Sequence, residues 1–95
     1  MTEVTLTGKL VCASPAEAEV VEDLLPHHVL STRAEPGCLL FEVTRRGSSL
    51  VWDVTERFEN ADAFRAHQAR VAESAWGSET AAIQRDYAVT GLNPG

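Results

Sequence analysis

The apolar residues of this chain change their spacing in a set order, and that order constrains the fold more than any other feature of the sequence. From Thr5 to Cys12 they alternate, with Leu6, Leu10 and Cys12 on one side and Thr5, Thr7 and Lys9 on the other, which is the period of a strand. Ser14-Pro15 then supplies a helix N-cap with proline at the first helical position, and Glu17 and Glu19 suit the positive end of the helix. Val20, Val21, Leu24 and His28 continue at helical spacing. Pro26 lacks a backbone donor and crowds the preceding turn, so a kink near Glu22–Leu25, or two helical pieces, is expected before the helix ends by Arg33.

Glu35-Pro36-Gly37 reads as a turn into a β-rich run, Cys38–Thr44, and a second run follows at Leu50–Phe58. Between them Gly47-Ser48 suits a two-residue type II′ hairpin turn. That turn sets Val43 opposite Trp52, Phe41 opposite Val54 and Leu39 opposite Glu56, at the expense of a like-charge pair, Glu42 and Asp53, on the other face. Asn60 can cap a second helix whose inner side carries Phe64, His67 and Val71. Trp76-Gly77 is expected to break it, with a short third helix from Ser78-Glu79 to about Ile83. Arg85–Leu92, with Tyr87 and Val89 on one face, closes the chain as a strand before an Asn93-Pro94-Gly95 tail.

Strand, helix, strand, strand, helix, strand is the ferredoxin-like βαββαβ order, an α+β fold with a four-stranded antiparallel sheet. A single domain over residues 1–95 is expected, and a chain this short buries only about 60–65% of its unfolded surface. Its helices cover one face of the sheet, and the other carries Val11, Leu40 and Val51 among polar groups. A second copy of the chain is the simplest cover, so a homodimer is expected. The net charge of −6 speaks against nucleic acid and anionic membrane as partners. No apolar run approaches the ~20 residues of a membrane span. Met1-Thr2-Glu3-Val4 does not open a signal peptide, which leaves the cytoplasm as the expected location.

Few residues in such a fold can carry chemistry. Cys12 and Cys38 fall on strands separated by a third, roughly 10 Å apart at the ~4.8 Å strand spacing, so they are expected as free thiols. Glu56 interrupts the Leu50, Trp52, Val54, Phe58 face, and the alternation that buries those residues turns its carboxyl inward. It is then either half of a structural ion pair or a pocket acid or base. His67 and His28 lie on the inner faces of the two helices, whereas His27 points away. Two imidazoles beside an inward carboxyl are suited to general base work. His28, His67 and Glu56 are also the residue types of a facial metal triad, but their spacing selects no metal. Trp52, Phe41, Trp76, Phe64 and Tyr87 would line any cavity with flat aromatic walls. Phosphate-binding glycine loops and nucleophile-elbow motifs are absent from the sequence.

The segments Ser31-Thr32-Arg33-Ala34-Glu35-Pro36-Gly37-Cys38-Leu39-Leu40-Phe41-Glu42-Val43, Glu56-Arg57-Phe58, Ala63-Phe64-Arg65-Ala66-His67-Gln68 and Arg85-Asp86-Tyr87 resemble the antibiotic biosynthesis monooxygenase family. The resemblance runs from Thr5 to Leu92 and implies a dimeric α+β barrel. It also implies a cofactor-independent oxygenase acting on a quinol or related phenol with O₂, with no metal or flavin. The first strand has no Asn and His67 precedes Trp76, which sets the chain apart from the haem-degrading branch. On this reading His67 is the base or proton shuttle, Glu56 its orienting partner and His28 a second candidate base. Trp52, Phe41, Phe64 and Trp76 form the substrate pocket, and Arg33 is a further binding candidate. A non-catalytic module binding small aromatics, and an isomerase or lyase working through an enolate, need the same cavity.

Overall fold

The computed structural model describes residues 2–92, and the Asn93-Pro94-Gly95 tail lies outside them. Its elements are β1 (Val4–Val11), α1 (Pro15–Arg33), β2 (Cys38–Arg45), β3 (Val51–Phe58), α2 (Ala61–Ala72), α3 (Ala75–Glu79) and β4 (Gln84–Thr90). The strands form one antiparallel sheet in the order β2-β3-β1-β4. This is the ferredoxin-like α+β arrangement that the apolar periodicity predicts.

Each helix begins where a side chain can take up a free backbone donor. Ser14 Oγ accepts from Glu17 N and Asn60 Oδ1 from Ala63 N. Pro26 does not divide α1, which is a continuous 19-residue helix. The carbonyl of Glu22, which would accept from residue 26, lies on the exposed side with Pro26, where water can satisfy it.

The β2–β3 register differs by two residues from the one expected. Val43 faces Val54, Phe41 faces Glu56 and Arg45 faces Trp52. Gly47 does take a positive φ (55°), and Ser49 N closes the turn onto Arg46 O at 2.9 Å. The pairing resumes only at Arg46 N to Val51 O, which leaves Leu50 in the loop. There its carbonyl accepts from Cys12 N at 2.9 Å, and Ser49 Oγ accepts from Val51 N. An even shift keeps every side chain on its expected face. It also places Glu42 opposite Thr55 and Asp53 opposite Thr44, so the like-charge pair never forms. A bulge between Cys38 and Leu40 leaves Leu39 outside the pairing and 45% exposed.

The inward positions of β1 and β3, namely Val4, Leu6, Leu10, Trp52, Val54 and Phe58, pack with Ala18 and Val21 of α1 and Phe64 of α2. Among them Glu56 is 7% exposed. Cys12, just past the end of β1, and Cys38, at the start of β2, are free thiols, with β3 lying between those two strands. On the opposite face Val11, Leu40 and Val51 remain half-buried.

Trp76-Gly77 lies inside α3 instead of ending a helix. Ser74 Oγ accepts from Gly77 N at 3.1 Å, starting the new turn three residues earlier than expected. The bare Cα of Gly77 lets that turn fold tightly back on α2, because a Cβ there would overlap the Val71 carbonyl. Gly77→Ala should therefore destabilise the protein by about 1–3 kcal/mol, the usual scale of overpacking. Urea denaturation checks this, and an unchanged midpoint would mean that the α2–α3 turn has slack.

Candidate functional site

Four elements send polar side chains to one place under the helices. The alternation of β3 turns Glu56 inward between Val54 and Phe58. Helical spacing places His67 one turn after the buried Phe64 on α2, and His28 seven residues after the buried Val21 on α1. The fourth group, Glu35, comes from the turn after α1. That turn is held by Cys38 N to Glu35 O (3.2 Å) and by Glu59 N to Gly37 O (2.8 Å).

His67 is 3% exposed and has a carboxyl group on either side of its ring. Its Nδ1 is hydrogen-bonded to Glu35 Oε1 at 2.7 Å, and its Nε2 faces Glu56 Oε1 at 3.8 Å, beyond hydrogen-bonding range. The hydrogen-bond partner of His67 is therefore Glu35, not Glu56. The register explains this, since Glu56 is fixed to the sheet beside Phe41, whereas Glu35 lies on a loop that reaches the outer ring nitrogen. Arg70, one turn beyond His67, donates from Nε to Glu35 Oε2 (3.1 Å) and from Nη2 to the buried Thr32 hydroxyl (3.0 Å).

Burial sets the charge states. It pushes the Glu56 carboxyl up to about 7, with the nearby Glu35 charge adding to the effect and Arg85 opposing it. Its Oε1 has no hydrogen-bond partner. Burial drives His28 down to about 3, helped by His67 and Arg70, so its imidazole is neutral at any physiological pH. The His28 ring stacks on Trp76 (centroids 4.4 Å apart, 6° between planes) and meets Phe41 edge-on at 5.3 Å. Its Nδ1 is also unpartnered. Burial lowers His67 as well, against the opposing pull of Glu35.

The aromatic residues expected at the pocket divide into two groups. Phe41 lies edge-on to His67 at 5.8 Å, and Trp76 carries His28. Phe64 stands one layer back, packed on Phe58, whose ring lies 4.9 Å from that of His67. Trp52 is outside the group. It pairs with Leu10 and Arg45, roughly 13 Å along β3 from Glu56, and its ring carries the Arg45 guanidinium at 4.8 Å. Arg33 serves as a tie: its Nε and Nη2 both donate to the Phe41 carbonyl (3.1 and 2.8 Å) and pin the end of α1 to edge strand β2. Among the described residues, no group of three or more His, Cys, Asp or Glu side chains is placed to hold a metal ion. A cleft of about 350 Å³ opens between α1 and the α2–α3 pair, lined by Leu24, His27, His28, Arg70 and Trp76 among others. His28 and Trp76 form its inner end.

Glu35, Arg70 and Thr32 have no counterpart in the residue-by-residue reading of the site. Their one signal is the i, i+3 spacing of His67 and Arg70, which sets a cation beside the imidazole on one helix face.

These charge states have a pH signature with a definite sign. Between the ordinary carboxyl value of 4.5 and about 7, the folded state holds a proton on Glu56 that the unfolded chain has lost, so stability falls as pH rises through that window. His28 acts oppositely between about 3 and 6.5, where only the unfolded chain binds the proton. Glu56→Gln should therefore gain on the natural protein by on the order of 3 kcal/mol between pH about 4.5 and about 7.5. Denaturation midpoints of both proteins across that range measure it. A constant difference between them would show that Glu56 titrates normally.

The fold is shared with several solved structures. MupZ from Pseudomonas fluorescens superposes with a TM-score of 0.76 at 20% identity, over 94% of this chain and 68% of MupZ. SnoaB, a cofactor-independent oxygenase from Streptomyces nogalater, gives 0.72 at 17% identity, over 100% of this chain and 97% of SnoaB. Rv0793 from Mycobacterium tuberculosis gives 0.69 at 22% identity, over 98% and 94%. At these identities the likeness concerns the fold alone. No curated protein matches the sequence. The family pattern for antibiotic biosynthesis monooxygenase, however, matches residues 8–78, which include β2, β3, α2 and every polar side chain gathered around His67. This chain belongs to the antibiotic biosynthesis monooxygenase family.

Proposed function

We propose that this chain is a cytoplasmic, homodimeric monooxygenase that uses O₂ to oxidise a planar, acidic phenol or quinol without metal or flavin. One observation carries the reading. A neutral imidazole and a carboxyl without a hydrogen-bond partner face each other at 3.8 Å inside an aromatic enclosure. Such a pair can accept a proton in a dry setting and return it, which is what a self-sufficient substrate needs from a protein. The existence of a cofactor-independent oxygenase with this fold, SnoaB, supports the reading.

The chemistry would proceed as follows. The substrate O–H breaks and its proton passes to the His67–Glu56 pair. The electron-rich phenolate then transfers an electron to O₂, and the radical pair collapses into a C–O bond at a ring carbon that bears hydrogen. The pair returns its proton to the peroxide oxygen, after which loss of the C–H proton and cleavage of the O–O bond release water and leave a C=O. A ring with one O–H and one C–H thus combines with O₂ to give a quinone and water. Phe41 and Trp76 would pack the flat ring, with access through the cleft that ends at His28. The depth of His67 and Glu56, 3% and 7% exposed, favours as second reading a module that binds small aromatics without turning them over.

Oxygen uptake by metal-stripped protein against quinols, anthrones and naphthols decides between the two. Uptake above autoxidation should appear with at least one of them, and His67→Ala should lower it roughly 10²-fold or more. Tight binding of a panel member without uptake would establish the binding module instead. The dimer has its own test. Val51 and Leu40 are half-buried on the face that the helices leave open, so Val51→Glu should shift sedimentation from two chains to one. A natural protein that sediments as a monomer would overturn the dimer.

A further inference from the structure

We propose that Glu35 is the positioning residue of this site: it makes Nδ1 the hydrogen-bearing nitrogen of His67, leaves Nε2 free toward Glu56, and balances the charge His67 acquires on taking a proton. The proposal rests on the reading of His67 as the base.

The geometry supports it from both sides of the ring. The Glu35 side chain is only 15% exposed, and both of its oxygens are engaged, Oε1 by His67 Nδ1 (2.7 Å) and Oε2 by Arg70 Nε (3.1 Å). Burial opposes the Glu35 charge, but the hydrogen bonds from Arg70 and His67 outweigh it and hold the carboxyl below its usual range. An ionised carboxylate only accepts, so Nδ1 must be the donor. In the neutral ring the lone pair then belongs to Nε2, the nitrogen that faces the unpartnered Glu56 Oε1. The 3.8 Å gap is too short to hold a bridging water and about 1 Å longer than a charge-assisted hydrogen bond, so a small side-chain movement closes it.

Arg70 works in the opposite sense to Glu35. It anchors the carboxylate and is itself held by the Thr32 hydroxyl (3.0 Å), but its positive charge disfavours a protonated His67. The other ionisable groups near the pair are Glu56 from β3, His28 from α1, and Arg85 and Tyr87 from β4. Proton gain at His67 is thus balanced between a carboxylate that favours it and a guanidinium that opposes it.

The test is ¹⁵N NMR of histidine-labelled protein, with His67→Ala identifying the His67 signals. In the natural protein at neutral pH, His67 should carry its hydrogen on Nδ1, with Nε2 showing the shift of a bare nitrogen. Glu35→Gln keeps an acceptor at Nδ1 but removes the charge, so the His67 titration midpoint should move to lower pH. Arg70→Gln should move it to higher pH. Glu35→Asp should restore part of what Glu35→Gln loses. In turnover, Glu35→Gln should lower kcat by about tenfold or more with little change in KM, and shift the acid limb of the pH profile downward.

A natural protein with the hydrogen on Nε2, or shifts of the same sign in Glu35→Gln and Arg70→Gln, would overturn the proposal. Arg70→Gln leaves Glu35 intact, so it keeps the test decisive if Glu35→Gln does not fold. The NMR result stands apart from oxygen uptake. A protein that takes up no oxygen fails as an oxygenase, while the His67 titrations still decide the role of Glu35.

Discussion

Covering one face of a four-stranded sheet with helices places every inward position of its central strands in the core, and on β3 one of those positions is Glu56. Moving this carboxyl out would require shifting β3 by one residue, which would expose Trp52, Val54 and Phe58 together. The core therefore holds the acid in place. Its charged form is disfavoured there, and an imidazole is the nearest group able to exchange a proton with it.

The polar chain around that imidazole joins parts of the fold that are distant in sequence. Thr32 and Glu35 lie at the end of α1 and the turn beyond it, and His67 and Arg70 lie one turn apart on α2. Arg33 ties the same helix end to β2 through the Phe41 carbonyl, which holds the Phe41 ring against both histidines. The C-terminal end of α1 thus acts as the mounting for the site. His28 plays a different part. Neutral, stacked on Trp76 and with its Nδ1 unpartnered, it is one of the residues that line the cleft between α1 and the α2–α3 pair.

Membership of the antibiotic biosynthesis monooxygenase family accounts for the fold, but the chemistry depends on the individual side chains. Here those side chains are a carboxyl raised toward neutrality, a lowered imidazole and a second imidazole held fully neutral. All three lie close together under the helices, with the charged Glu35–Arg70 pair beside His67.

The sequence by itself determined the element order, the buried face of each strand and helix, and the burial of Glu56, His67 and His28 with Phe41 and Trp76. Those properties follow from local periodicity and capping, which neighbouring residues express without reference to the rest of the chain. Only the tertiary structure decided the β2–β3 register, the continuity of α1 through Pro26, the packing of Trp52 under Arg45 and the tie of Arg33 to the Phe41 carbonyl. Leu50 pairs with Cys12 across the sheet, and Pro26 is tolerated because the Glu22 carbonyl it leaves without a donor lies on the exposed side of the helix. The tertiary structure alone also chose Glu35 over Glu56 as the partner of His67. A carboxylate in a turn has no periodicity to reveal its direction, and a hydrogen bond across 32 residues exists only once the helices have docked on the sheet.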